Sequence, residues 1–272
     1  MSVDPQLRSL DIDIPAQPQA LVQLSLLLAD EDVNLQEVST LIEGDMALAS
    51  SVLKAVNSSL YGLRGRVQTV QQAITYLGMR EVSAVTYEMG LRAVFPLAPE
   101  LDAVWKRAGL RGLVMGRIGQ LLNVDAWAAH SAGLFEECGK AVLFRHAPVH
   151  YGAMLRAAAD DDAQLLTLER TGFGVSHDAL GAALCESWGL DAAAVASVRH
   201  HVQLQSGDFP AHMARRSIGV LSVIAHAMMR APETLEEVVV RVAPLAEVDP
   251  TLALRGVRHV HDQLTDALAS RR

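Results

Sequence analysis

Three short groups of residues in this sequence carry side chains that could do chemistry. Glu136-Glu137 offers adjacent carboxylates, His177-Asp178 a histidine beside a carboxylate, and His200-His201 two neighbouring imidazoles. Carboxylates and imidazoles are the side chains that hold catalytic metal ions or transfer protons. A metal site needs at least three converging ligands, and no group supplies three by itself. Spacing alone therefore leaves open whether the fold completes a ligand set.

Each group also has a structural explanation. Ser176 is a favourable N-cap for a helix beginning near His177, and Asp178 in its first turn complements the helix dipole. His200-His201 lies late in an expected helix, where the dipole favours basic side chains. Adjacent helical residues point about 100° apart, so Glu136-Glu137 is expected to be solvated or ion-paired. Paired acid and base catalysis is the alternative for these carboxylates.

A fourth group, Asn57-Ser58 followed by Tyr61-Gly62, is typical of a helix end. We expect the side chains of Asn57 and Ser58 to donate hydrogen bonds to the carbonyls freed at the helix end, and Tyr61 to anchor the turn. Gly62 is expected to take the left-handed conformation that ends many helices.

The elements that must position these residues are predicted to be helices. Aromatic residues make up only 4% of the chain, whereas Ala and Leu are abundant, which favours an all-α protein over a β-sandwich. Asn34 with Glu37, and Thr69 with Gln72, have the spacing of capping boxes at helix starts. The Val238–Val240 run is interpreted as helical because it continues an apolar helix face.

Charge and composition narrow the classes of function. The formal net charge is −8, and no dense block of Lys and Arg is present, so nucleic acid is a disfavoured partner. The longest apolar stretch, Val220–Met229, is about half the ~20 residues that a membrane-spanning helix needs. The two cysteines have no CxxC spacing, which fits a reduced compartment. We therefore expect a cytoplasmic protein without a membrane span.

The order of motifs resembles the HDOD domain, a relative of the HD metal-dependent phosphohydrolases. The resemblance covers residues 13 to 230, and its motifs are Ile14–Pro18, Val38–Leu48, Asn57–Gly62, Val70–Gly78, Trp105, Gly133–Phe135, Gly139-Lys140, His177 with Gly181 and Trp188, and His200-His201. It implies an all-α, multi-helix fold with an amino-terminal helical subdomain at 14–95 and an HD-like subdomain at 100–230. A carboxyl-terminal helical extension is expected at 231–272.

The resemblance also implies that catalytic residues have been replaced. In catalytic HD relatives a His, a His-Asp pair and a later Asp hold the metal that activates water. The corresponding positions here are Arg107, Glu136, Glu137 and His226. Metal-ligand chemistry is kept only at His177, His200 and His201. Arginine cannot ligate a cation, so we expect no metal, no cofactor and no catalysis, and we expect Arg107 to pair with Glu136 and Glu137.

The implied function is a non-catalytic regulatory module in bacterial signal transduction. Its expected partner is a signalling protein of unknown identity, and a nucleotide second messenger is the candidate small ligand. The alternative is a metal-dependent phosphohydrolase or cyclic-dinucleotide phosphodiesterase of the HD superfamily. His200-His201 followed by Gly207–Pro210 weakly resembles the HH…GYP signature of cyclic-dinucleotide phosphodiesterases, which keeps that alternative open.

Overall fold

The computed structural model describes residues 12–30, 32–58, 60–61, 67–158, 160–213 and 215–269. Within these ranges the chain forms α-helices joined by turns and short 3₁₀ segments, and no β-strand occurs. The predicted all-α fold is confirmed. The chain divides into two compact units, Gln17–Val94 with the residues after Arg258, and Phe95–Arg258 with the residues before Gln17. The three predicted segments, 14–95, 100–230 and 231–272, stay a prediction.

The smaller unit is built from short amphipathic helices. They are α1 (Gln19–Leu28), α2 (Leu35–Glu43), α3 (Met46–Val56), α4 (Val70–Leu77) and α5 (Met79–Ala93). Both predicted helix starts are confirmed. The Asn34 Oδ1 atom accepts a hydrogen bond from the backbone N–H of Glu37 at 2.9 Å, and the Thr69 hydroxyl accepts one from the backbone N–H of Gln72 at 3.1 Å. These caps satisfy donors that the first helical turn leaves without partners.

The turn after α3 is held differently from the prediction. Asn57 is the C-cap of α3, but its side chain bonds to Val67 rather than to the freed carbonyls of the helix. The Asn57 amide donates to the Val67 carbonyl at 2.8 Å, and its oxygen accepts from the Val67 N–H at 3.2 Å. The Ser58 carbonyl accepts a hydrogen bond from the Tyr61 N–H at 3.2 Å. Gly62 lies outside the described residues.

The larger unit carries the remaining candidate residues. Its helices are α6 (Pro99–Leu121), α7 (Ala126–Phe135), α8 (Cys138–His146), α9 (Pro148–Ala158), α10 (Asp162–Phe173), α11 (His177–Ser187), α12 (Ala192–Gln205), α13 (Ser217–Arg230) and α14 (Leu235–Val242). The boundary between the units falls inside α15 (Pro250–Ala269). The Val238–Val240 segment is helical, as predicted. Among the described residues, no helix combines the length and apolar character needed to cross a membrane.

Two glycines let α11 pack backbone to backbone against α8 and the end of α7. A Cβ atom added to Gly139 would lie 1.8 Å from the carbonyl oxygen of His177, and one added to Gly181 would lie 2.9 Å from the carbonyl oxygen of Phe135. No side chain fits at either distance, so only glycine allows this approach. The contact places the start of α11, with His177, beside the start of α8, with Lys140.

Candidate functional site

Charged side chains are buried together inside the larger unit. Arg111 of α6, Glu136 and Glu137 at the junction of α7 and α8, and Lys140 of α8 each expose 1% or less of their surface. Asp162, the first residue of α10, joins them with a side chain that is 10% exposed. These five residues are called the ion-pair cluster below. An isolated buried charge costs several kcal/mol, so the cluster is stable only because its members are paired.

Local structure aims these side chains at one another. Glu136 is the C-cap of α7 and Glu137 the N-cap of α8, and both keep helical backbone angles. The chain therefore turns from one helix to the next without leaving the right-handed region, which directs both carboxylates into the unit. The side chain of Asp161 caps α10 by accepting a hydrogen bond from the Gln164 N–H at 3.0 Å. That cap fixes Asp162 at the first helical position, facing Lys140.

The pairing within the ion-pair cluster is close. Nη1 of Arg111 lies 2.6 Å from Oε2 of Glu136, and Nη2 lies 3.7 Å from Oε1 of Glu137. Nζ of Lys140 lies 2.8 Å from Oε2 of Glu137 and 2.6 Å from Oδ1 of Asp162. Glu137 is thus shared by a guanidinium and an ammonium group. Two fixed cations meet three carboxylates.

The charges hold one another in the ionised state. Burial by itself would raise the pKa of Glu137, but Lys140 and Arg111 lower it to about 2. Burial likewise opposes ionisation of Asp162, and Lys140 nevertheless holds its pKa below the ordinary value. The pKa of Lys140 is raised because Glu137 and Asp162 outweigh its burial. Glu137, Asp162 and Lys140 are therefore charged at neutral pH.

Arg107 occupies the edge of the cluster, and its predicted pairing is confirmed for Glu137 but wrong for Glu136. Its Nε lies 3.4 Å from Oε2 of Glu137, but its shortest ion pair is from Nη1 to Oδ1 of Asp160, at 2.6 Å. The buried partner of Glu136 is Arg111, one helical turn further along α6. Sequence reasoning missed Arg111, although its spacing of four residues from Arg107 places both on one helix face. Asp162 was missed because nothing near it in sequence marks it as a partner of Lys140.

His177 is held by a carboxylate that the sequence did not reveal. Its ring Nδ1 lies 2.7 Å from Oε2 of Glu169, which also accepts the backbone N–H of His177 at 2.7 Å. The hydroxyl of Tyr151 donates to the other carboxylate oxygen at 2.5 Å. Burial would lower the pKa of His177, but Glu169 raises it above the ordinary value. Ser176 is the N-cap residue of α11 and Asp178 lies in its first turn, as predicted, but the Ser176 hydroxyl donates to Asp178 and accepts no capping bond.

His201 packs against His177 with its ring edge. The ring centroids are 5.3 Å apart, and Nδ1 of His201 lies 2.7 Å from the Val198 carbonyl, so this nitrogen carries the proton. Burial lowers the pKa of His201, which keeps it neutral beside His177. The Nε2 atoms of both histidines are buried and have no hydrogen-bond partner among the described protein atoms.

The other two candidate histidines differ in position. His200 is half-buried and directs its ring toward His212, with 5.5 Å between ring centroids, rather than toward the ion-pair cluster. His226 of α13 faces the cluster, and burial together with Arg111 lowers its pKa to about 4. The structure therefore brings His177, His201 and His226 toward the ion-pair cluster and leaves His200 aside.

This donor set does not fit a catalytic divalent ion. Within the described ranges, no three His, Cys, Asp or Glu side chains are grouped so that they could hold a metal. Arg111 and Lys140 already neutralise the carboxylates that would serve as ligands, and their fixed positive charge repels a dication.

Comparison with known proteins identifies the family. The HDOD domain model matches residues 14–204, and the chain belongs to the HDOD family. The chain is 26% identical over 195 residues to an uncharacterized protein of Treponema pallidum (strain Nichols), covering 71% of this chain and 38% of that protein. It is 34% identical over 65 residues to YuxH of Bacillus subtilis (strain 168), covering 24% and 16%. It thus spans less than half the length of these relatives.

Solved structures share the fold. An HDOD domain protein of unknown function from Geobacter sulfurreducens has a TM-score of 0.68 and 18% identity, covering 96% of this chain and 95% of that one. A candidate signal transduction protein from Marinobacter aquaeolei VT8 has a TM-score of 0.73 and 17% identity, covering 95% and 59%. A candidate phosphohydrolase from Shewanella amazonensis SB2B has a TM-score of 0.67 and 20% identity, covering 95% and 97%. These likenesses show that the chain shares the fold of these proteins.

Proposed function

We propose that this chain is a non-catalytic regulatory module that acts in bacterial signal transduction by binding a partner protein. The observation that carries the proposal is the ion-pair cluster. At the positions where catalytic HD relatives hold a metal, a guanidinium and an ammonium group neutralise the carboxylates. These cations can stabilise negative charge, but they cannot lower the pKa of a bound water as a metal does. In this proposal, the chain keeps the helical framework of a hydrolase site but not the metal-activated water that hydrolysis requires.

The family and the cysteines support the setting of this proposal. The HDOD match and the candidate signal transduction protein among the similar structures favour a signalling role. Cys138 and Cys185 are both buried and form no disulfide bond, which supports a reducing compartment such as the cytoplasm. The partner is expected to be a signalling protein, with a nucleotide second messenger as the candidate small ligand.

One observation favours the alternative, a metal-dependent phosphohydrolase or cyclic-dinucleotide phosphodiesterase. The Glu169 carboxylate holds Nδ1 of His177 in the way that carboxylates orient metal-ligating histidines, which leaves Nε2 directed away from it. The neighbouring His201 also has an unpartnered Nε2. Against this reading, the fixed charges of Arg111 and Lys140 lie where the metal would have to bind.

Metal analysis and a hydrolysis assay separate the two functions. The purified chain is expected to carry no stoichiometric iron, manganese or zinc after mild chelation, and to hydrolyse neither a cyclic dinucleotide nor bis(p-nitrophenyl) phosphate when Mn²⁺ is added. The matched variant is the double substitution His177→Ala with His201→Ala. About one tightly held metal per chain that is lost in this variant, together with turnover that is lost in parallel, would overturn the proposal.

A further inference from the structure

Two arginines from different helices converge on one carboxylate at the edge of the ion-pair cluster. Asp160 lies in the turn between α9 and α10 and accepts Nη1 of Arg107 at 2.6 Å. Arg230, the last residue of α13, places Nη1 3.6 Å from the other carboxylate oxygen and donates from Nη2 to the Asp160 carbonyl at 2.7 Å. The two arginines are called the arginine pair below.

The arginine pair is accessible from solution, unlike the ion-pair cluster. The side chains of Arg107 and Arg230 are 17% and 33% exposed, and that of Asp160 is 53% exposed. Arg107 also reaches Glu137, at 3.4 Å, but this contact is longer than the one from Lys140 to Glu137, at 2.8 Å. The exposed end of the site therefore presents two guanidinium groups that share the exposed carboxylate of Asp160.

The backbone of Asp160 has an unfavourable conformation that its contacts with the arginines offset. Its φ angle is +74°, in the left-handed region that non-glycine residues adopt only at a cost. The hydrogen bond from Arg230 to its carbonyl and the ion pair from Arg107 to its side chain offset that cost. A ligand that satisfied both arginines would remove these compensating contacts and allow the turn to relax.

We propose that the arginine pair is a binding site for a phosphate group, and that Asp160 is an internal competitor which occupies it until the ligand displaces the carboxylate. A phosphate group offers more acceptor oxygens and more negative charge than one carboxylate, and the planar guanidinium fork matches it in two-point contacts. Displacement of Asp160 would also disturb its neighbours in the turn, Asp161 and Asp162, and the latter belongs to the ion-pair cluster. This inference assigns a chemical class to the small ligand of the proposed function and rests on it.

The test uses the full chain and inorganic pyrophosphate as the probe. Asp160→Asn keeps the size of the side chain and tolerates the left-handed backbone, but it removes the competing charge. We expect this variant to bind pyrophosphate about five- to tenfold more tightly than the wild type by isothermal titration calorimetry, since one unit charge at contact distance is worth about 1 kcal/mol in water. Arg230→Gln is expected to lose the binding.

The matched control is an exposed ion pair elsewhere in the same unit. Arg258 and Glu236 meet at 2.5 Å, with side chains 57% and 66% exposed, and there a single arginine contacts the carboxylate. Glu236→Gln therefore should not change pyrophosphate affinity. Equal gains in Asp160→Asn and Glu236→Gln, an unchanged affinity in Asp160→Asn, or full binding by a folded Arg230→Gln variant would each overturn the proposal.

Two further experiments identify the source of the phosphate and distinguish failure of the phosphate site from failure of the proposed function. Titration with orthophosphate, a nucleoside monophosphate and a cyclic dinucleotide tells whether the site recognises the phosphate alone or a nucleotide, and either result supports a phosphate site. Product analysis of the same samples tests catalysis independently. Hydrolysis would overturn the non-catalytic function and leave the site standing, whereas absence of binding with no turnover would remove the site alone.

Discussion

Arg111→Met should be the most damaging single substitution in the ion-pair cluster. Arg111 is 1% exposed and its Nη1 lies 2.6 Å from Glu136, which is fully buried, so the substitution leaves a carboxylate without its main cation. Breaking a buried pair from one side costs about 3–5 kcal/mol in free energy of unfolding. Methionine fills much of the volume, so the loss reports charge rather than a cavity. All three tryptophans, Trp105, Trp127 and Trp188, lie in the larger unit, and their fluorescence during urea unfolding therefore follows this unit.

The double variant turns this loss into a measure of the contact. Glu136→Gln removes the uncompensated charge, so adding it to Arg111→Met should recover stability, with a coupling energy of about 1–3 kcal/mol. The control is Arg258→Met, because its pair with Glu236 is exposed and is worth at most about 1 kcal/mol. Additive losses, or an Arg111→Met variant no less stable than Arg258→Met, would refute the reasoning that the buried pair replaces the charge of a metal.

Three other substitutions test separate features of the fold. Gly139→Ala should cost more than about 3 kcal/mol or prevent folding, since the added Cβ would lie 1.8 Å from the His177 carbonyl oxygen; retained thermal stability would show that α8 and α11 are further apart. Asn57→Ala should cost about 1–3 kcal/mol, because two backbone groups of Val67 lose their partner, and urea unfolding followed by circular dichroism measures it. His226→Gln should reduce the loss of stability that the wild type shows between pH 6.5 and pH 4. The pKa of His226 in the folded state is about 4, below the ordinary 6.5, so the folded state resists protonation and loses stability relative to the unfolded state as the pH falls through this range. Identical urea midpoints for both proteins across a pH series would contradict this prediction.

Local features of the fold were predictable from the sequence. The caps at Asn34 and Thr69 depend on a side chain and a backbone group three residues away, so the sequence contains both partners. Ser176 shows where local reasoning ends. It is the N-cap residue of α11, but its hydroxyl donates to Asp178 and accepts no bond from the first turn, so the position was predictable and the hydrogen bond was not.

Only some residues of the candidate site were predictable from the sequence. Glu136, Glu137 and His177 follow from motif order, whereas their partners come from tertiary packing. Glu169 reaches His177 from the preceding helix, and Asp162 reaches Lys140 across 22 residues of chain. Neither carboxylate has a sequence neighbour that marks it, because its role arises only when α10 is docked against α8 and α11. Asn57 likewise finds Val67 ten residues away.

The partners of His177 suggest how the framework of the site persists if the chain is non-catalytic, as proposed. Tyr151 and Glu169 hold the imidazole ring of His177 in the orientation that a metal site requires, and the fold needs them because an unpaired buried Glu169 would be costly. In the proposed function, Arg111 and Lys140 take over the electrostatic role of a metal. Under the proposed function, the carboxylates of the ion-pair cluster are occupied by these two cations and do not bind a metal. Under the same proposal, a regulatory input acts at a charged group that is accessible and also connected to the cluster, and the arginine pair beside Asp160 has both properties.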